Sequence, residues 1–243
     1  MLRLTPSSLL LIWAPILGMV TGVTLVLNPV TYHWAVRSFQ NAREYSFVEM
    51  ATVVCFLICA AGAACLTYLH RPQKGEWLPT LAFSFLTVVA FVVAMEEVQW
   101  GQPILAYEIP SVIAQNNIQR EMTLHNLDGM HCHAAKLYLL FCAAGFMLFL
   151  PRLWPLPKQV LVELRPHRDL RSILWLVLIV TISMMLVISS FGNVWAPMKP
   201  TRWTQEILEL YIAYWSAAYV VIKCAEMHKI SSQFEEIKPA SSK

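Results

Sequence analysis

Glu96 and Glu97 stand side by side in Glu96-Glu97-Val98-Gln99-Trp100-Gly101-Gln102, where an apolar run gives way to a polar stretch carrying Glu121, His125, Asp128, His131 and His133. Ionisable groups at a membrane boundary are costly unless they are hydrated, paired or bound to something. Two roles suit these residue types: a carboxylate acting as general base, and ligation of a divalent ion, where carboxylate-rich sets suit manganese or iron and more histidine favours zinc. Spacing adds to the case. Glu121, His125 and Asp128 at i, i+4 and i+7 share one face if that segment is helical, as do Glu206 and Glu209 at i and i+3. His131-Cys132-His133 is weaker as a helical pair, because residues two apart point about 200° from one another.

Elements that could bring these groups together follow from composition. With 57% hydrophobic and 14% charged residues, the chain reads as an all-α polytopic membrane bundle forming one transmembrane domain over 1–243. Six apolar segments, near 8–28, 47–69, 78–96, 132–150, 170–192 and 205–224, each approach the ~20 residues a helix needs to cross the hydrocarbon core. Between the third and fourth, Pro103 and Pro110 break the chain and Ser111 could cap a helix over about 112–126. Its incomplete apolar face suits an interfacial or re-entrant element. Residues 225–243 form a polar tail.

Basic residues set the expected orientation. With the N-terminus cytoplasmic, twelve Lys and Arg fall on inner segments and five on outer ones, with Lys136 left inside the fourth span. The positive-inside rule then places both termini in the cytoplasm. The N-terminal apolar run is long for a signal peptide, and Asn28-Pro29 does not resemble a cleavage site. The net charge of +3 does not suggest nucleic acid. Six cysteines without CxxC or a secreted-domain spacing read as packing residues.

On this topology Glu49 opens the second span, Glu96 and Glu97 end the third, and Glu206 and Glu209 open the sixth, all at the outer face. Carboxylate-bridged metal sites in helix bundles use Glu and His sets of this kind. The expected metal ligands are Glu49, Glu97, Glu121, His125 and Glu209, with Glu96 and Glu97 as catalytic candidates and Trp100 as an interfacial aromatic that could cover the site. Gly101 is expected to let the backbone there pack closely.

In Glu96, Glu97, Trp100, Gly101 and Gln102, followed by Asn117, Gln119, Glu121, His125 and Asn126, the chain resembles poorly characterised bacterial polytopic membrane proteins with a Glu-Glu-x-x-Trp-Gly-Gln segment and an Asn-x-Gln-x-Glu-x-x-x-His-Asn segment. Pro103 departs from that pattern, where a basic residue is expected. The resemblance implies a bacterial inner-membrane location. A looser similarity is to ceramidase-like membrane hydrolases, whose Ser-x-x-x-His and His-x-x-x-His pairs are missing here, so none of their catalytic residues carries over.

Two function classes follow. The first is a membrane-embedded, metal-dependent enzyme acting on a lipid or lipid-linked substrate at the outer leaflet. The second is a non-catalytic subunit or assembly factor whose polar face docks on membrane-protein partners. Haem binding and transport fit less well, because no histidine pair lies at depth on facing spans and no run of charges crosses the bilayer centre.

Overall fold

The computed structural model describes residues 13, 17–18, 20–22, 24, 28, 30–31, 47–70, 77–117, 122–123, 134–150, 160, 163–195 and 200–237. Among them the regular elements are helices: α1 (Phe47–Leu69), α2 (Trp77–Glu97), a 3-10 turn (Gln99–Gly101), α3 (Gln102–Leu105), α4 (Ser111–Asn116), α5 (Ala134–Met147), α6 (Leu170–Trp195) and α7 (Pro200–Ile237). Val48–Leu69, Trp77–Glu97 and Gln205–His228 are long and apolar enough to cross a membrane, while Lys136–Met147 and Leu170–Ser183 are shorter apolar helices. Such helices satisfy their own backbone, which an apolar surrounding demands. Hydroxyls follow the same logic: Thr52, Thr67, Thr87, Thr181 and Ser216 each donate to the carbonyl four residues back.

Packing runs α2 on α1, α1 on α7, α7 on α6 and α6 on α5. Small residues set the closest approach. At Gly62 an added Cβ would lie 2.7 Å from Val220 Cγ2, and Cys224 Sγ reaches the Gly62 carbonyl at 3.6 Å. This is the small-residue contact that lets helices associate where lipid removes the usual hydrophobic drive. Gly18 and Gly22, helical residues of the N-terminal segment, lie against Tyr211 and Ile207 of α7. By contrast α2 and α5 share no extensive contact. The two stand on either side of a cleft.

One end of the bundle is closed by polar contacts. His70 Nδ1 lies 3.5 Å from Glu163 Oε2 and its ring stacks on Phe83. Tyr219 Oη donates to the Leu164 carbonyl, and Lys223 Nζ meets Glu226 Oε2 at 3.0 Å. The His70 and Tyr219 contacts tie the end of α1 and the middle of α7 to the segment that precedes α6, while the Lys223–Glu226 pair lies within α7.

One expectation is corrected. The helix expected over 112–126 ends at Asn116: Asn117 is extended (φ −107°, ψ 123°), and neither Met122 nor Thr123 is helical. The side chain of Asn117 instead donates to the Thr123 carbonyl at 2.7 Å and to its hydroxyl at 3.3 Å, both residues being buried. That local bond competes with continuation of the helix. The polar tail from residue 225 is also helical as far as Ile237.

Candidate functional site

At the end of the bundle opposite the His70 contacts, α1 begins, α2 ends, and the first turns of α5 and α7 arrive. Glu49 stands in the first turn of α1, and Glu96 and Glu97 are the last two residues of α2. The Glu97 carboxylate lies within electrostatic reach of Glu209, Glu206, Glu49 and Glu96, in that order of strength. Three helices therefore deliver five carboxylates to one locality. Among the described residues, the charges acting on Glu97 are all of its own sign.

α5 contributes Tyr138. It is 5% exposed, its hydroxyl donates to Glu209 Oε1 at 2.5 Å, and Glu206 and Glu97 also lie within its electrostatic range. A buried phenol needs a partner for its hydroxyl. Glu209 supplies one and is thereby fixed in orientation. Tyr138 was not among the residues singled out in the sequence. Its signal there is slight: one hydroxyl in an apolar run, two residues after Lys136, whose side chain is exposed.

The turn after α2 is built around Glu96. Gln99, Trp100 and Gly101 have φ of +50°, +55° and +78°, a run of left-handed residues that non-glycine side chains rarely adopt. Three contacts hold it. The Trp100 indole N–H donates to Glu96 Oε1 at 2.5 Å, and Tyr107 Oη lies 3.3 Å from the carbonyls of both Gln99 and Trp100. Gln102 Oε1 accepts from the Met122 backbone N–H at 3.3 Å, linking this turn to the polar loop. Trp100 thus satisfies a buried carboxylate, a more specific task than belonging to an aromatic belt. Gly101 is needed for its backbone angle. Its expected close approach is corrected, since an added Cβ would meet nothing nearer than Leu105 at 3.6 Å.

Of the expected ligands, Glu49, Glu97 and Glu209 are thus gathered at one end, together with Glu96 and Glu206. Glu121 and His125 lie outside the described residues, as do Asp128, His131 and His133. The non-helical Met122 and Thr123 remove the basis for placing Glu121, His125 and Asp128 on one helical face. Among the described residues, no three His, Cys, Asp or Glu side chains already stand in a metal-holding group. The carboxylates fit a divalent ion in donor type, as hard oxygen ligands, but would have to draw closer to share one.

Compared with family models, with curated proteins and with solved structures, the chain matches none.

Proposed function

We propose that the chain is a membrane-embedded, metal-dependent enzyme acting on a lipid or lipid-linked substrate, with its site at the outer leaflet. The observation that carries this reading is the convergence of Glu49, Glu96, Glu97, Glu206 and Glu209 from three helices, with Tyr138 of a fourth bonded to Glu209. Carboxylates gathered from three helices offer the hard oxygen donors that a divalent ion takes. Glu49, Glu97 and Glu209, with Glu121 and His125 from the polar loop, would hold it. A divalent ion held there would supply a water of lowered pKa and polarise a carbonyl or phosphoryl oxygen. Manganese or iron suits the carboxylate oxygens, and zinc gains ground only if histidine joins. Glu96, which accepts the Trp100 indole N–H, would serve as general base.

Both termini lie in the cytoplasm in this reading, supported by the twelve-to-five division of basic residues, and the membrane is a bacterial inner membrane. Cysteine substitutions at Gln115 and Gln159 should be labelled from opposite sides, Gln115 from outside. Labelling of Gln115 only from the cytoplasm would overturn the orientation.

Metal analysis of protein purified under metal-replete conditions tests the function. Stoichiometric metal in the wild type, lost in Glu97→Gln, Glu121→Ala and His125→Ala with membrane insertion intact, supports the enzyme. Simple surface solvation predicts changes within about 0.5 kcal/mol for each. A well-folded wild type without metal favours the second reading, a non-catalytic subunit or assembly factor.

A further inference from the structure

Below the carboxylates, the cleft between α2 and α5 widens into a cavity of about 170 Å³ lined by Leu86 of α2, by Phe141, Ala144 and Gly145 of α5 with Leu148 just beyond its end, and by Trp215, Ser216 and Tyr219 of α7. Its floor is buried, whereas Leu86 and Phe141 are half-buried and Ala144 is exposed, so the cavity opens sideways between α2 and α5. The three polar groups in its wall are already engaged elsewhere. Trp215 Nε1 donates to the Leu170 carbonyl, Tyr219 Oη to the Leu164 carbonyl and Ser216 Oγ to the Ile212 carbonyl, each at 2.9 Å. Trp215 and Tyr219 stack on each other with centroids 5.6 Å apart, and Phe141 meets the Trp215 ring edge-on at 5.4 Å. The wall therefore offers ring and aliphatic surface with its donors spent, and suits a ligand that asks for no hydrogen bond.

Position on the helices says which ligand. Trp215 to Tyr219 lie six to ten residues beyond Glu209 on α7, about 9–15 Å along the axis. The same three helices that bring Glu97, Tyr138 and Glu209 together thus enclose the cavity, up to roughly half the thickness of a ~30 Å hydrocarbon core below them. A dry apolar cavity of roughly 150 Å³ accepts a benzene-sized group, so this one takes a short length of hydrocarbon with the rest lying along the open cleft.

We propose that the cleft between α2 and α5 holds one hydrocarbon chain of a lipid whose polar head lies at the Glu97–Glu209 carboxylates. The proposal rests on the lipid-enzyme reading for the chemistry at the head and on the cavity for the chain. Ala144 and Leu148 decide access: a larger side chain at either rim position fills the space that the chain would occupy.

The test uses the full chain in vesicles of phosphatidylethanolamine and phosphatidylglycerol, doped with a phosphatidylglycerol that carries a diazirine at mid-chain. After photolysis, adducts on Phe141–Leu148 and Trp215–Tyr219 should exceed those on the exposed Ile179 and Ile182 of α6 several-fold. Ala144→Trp and, as a second variant, Leu148→Trp should each abolish that excess while leaving α6 labelling unchanged. Labelling no greater in the cleft than on α6, or an excess that survives both substitutions, overturns the proposal. Manganese titration of the same preparations separates the two claims. Cleft adducts without metal binding sink the metal-enzyme reading and leave the chain site standing. Metal binding without cleft adducts does the reverse.

Discussion

Tyr138→Phe removes one oxygen atom and tests whether Glu209 is held in place for a purpose. The ring stays buried and keeps its shape, so the packing of α5 is undisturbed; what goes is the hydroxyl that donates to Glu209 Oε1. A hydrogen bond to a charged group contributes about 1.5–3 kcal/mol. At roughly 1.4 kcal/mol per decade, that corresponds to a loss of about 10- to 150-fold in any equilibrium that needs Glu209 in its present orientation. If Glu209 ligates a divalent ion, Tyr138 is the partner that orients it, and substitutions of such partners typically weaken metal affinity by about 10- to 100-fold. Calorimetric titration of manganese into the detergent-solubilised protein, beside Glu209→Gln, measures the loss. The expectation is a weakened site for Tyr138→Phe and no site for Glu209→Gln. Unchanged affinity in Tyr138→Phe, with Glu209→Gln also binding normally, would refute the assignment of Glu209 as a ligand and leave the bond a merely structural one.

Gly62→Ala should destabilise the α1–α7 contact, because its Cβ would stand 2.7 Å from Val220 Cγ2. Overpacking of this kind costs about 1–3 kcal/mol, and Val220→Ala in the same chain should recover most of it in a thermal unfolding cycle. Gly101→Ala has space for its methyl but must hold φ at +78°, a penalty of about 1–2 kcal/mol; Gly101→Asn should lose less, as read by the same unfolding assay. Trp100→Phe keeps an aromatic ring but removes the indole donor that links the turn to Glu96, and loss of that bond should lower the melting temperature and loosen the turn, seen as faster amide exchange at Gln99 to Gln102.

Helices α1, α2 and the apolar part of α7 are readable from hydropathy alone, and with them the placement of Glu49, Glu96, Glu97, Glu206 and Glu209 near helix ends. A run of apolar residues fixes both the helix and the depth of the charges that flank it. The far limit of α7 was not readable in that way, because Glu226, Lys229, Gln233 and Glu235 are good helix formers that hydropathy scores as tail. The helix expected over 112–126 fails for a local reason: Asn117 bonds to the carbonyl of Thr123 six residues on, and that bond, which periodicity does not encode, competes with the helix. Tyr138 and the cleft escaped the sequence for a tertiary reason. Both exist only when α5 is set beside α7, and the spacing of residues within α5 says nothing of that neighbour.

The loose relation of α2 to α5 changes how the bundle responds to its surroundings. Parting two helices in water exposes apolar surface, at about 25 cal/mol per Å². In a bilayer the chains of neighbouring lipids fill the gap, and the transfer term nearly vanishes. Because α2 is anchored through α1 and α5 through α6, the seam between them can widen without undoing either anchorage. A molecule arriving within the plane of the membrane would meet little mechanical resistance there, whereas the seam between α1 and α7, interlocked at Gly62 and Val220, would have to come apart.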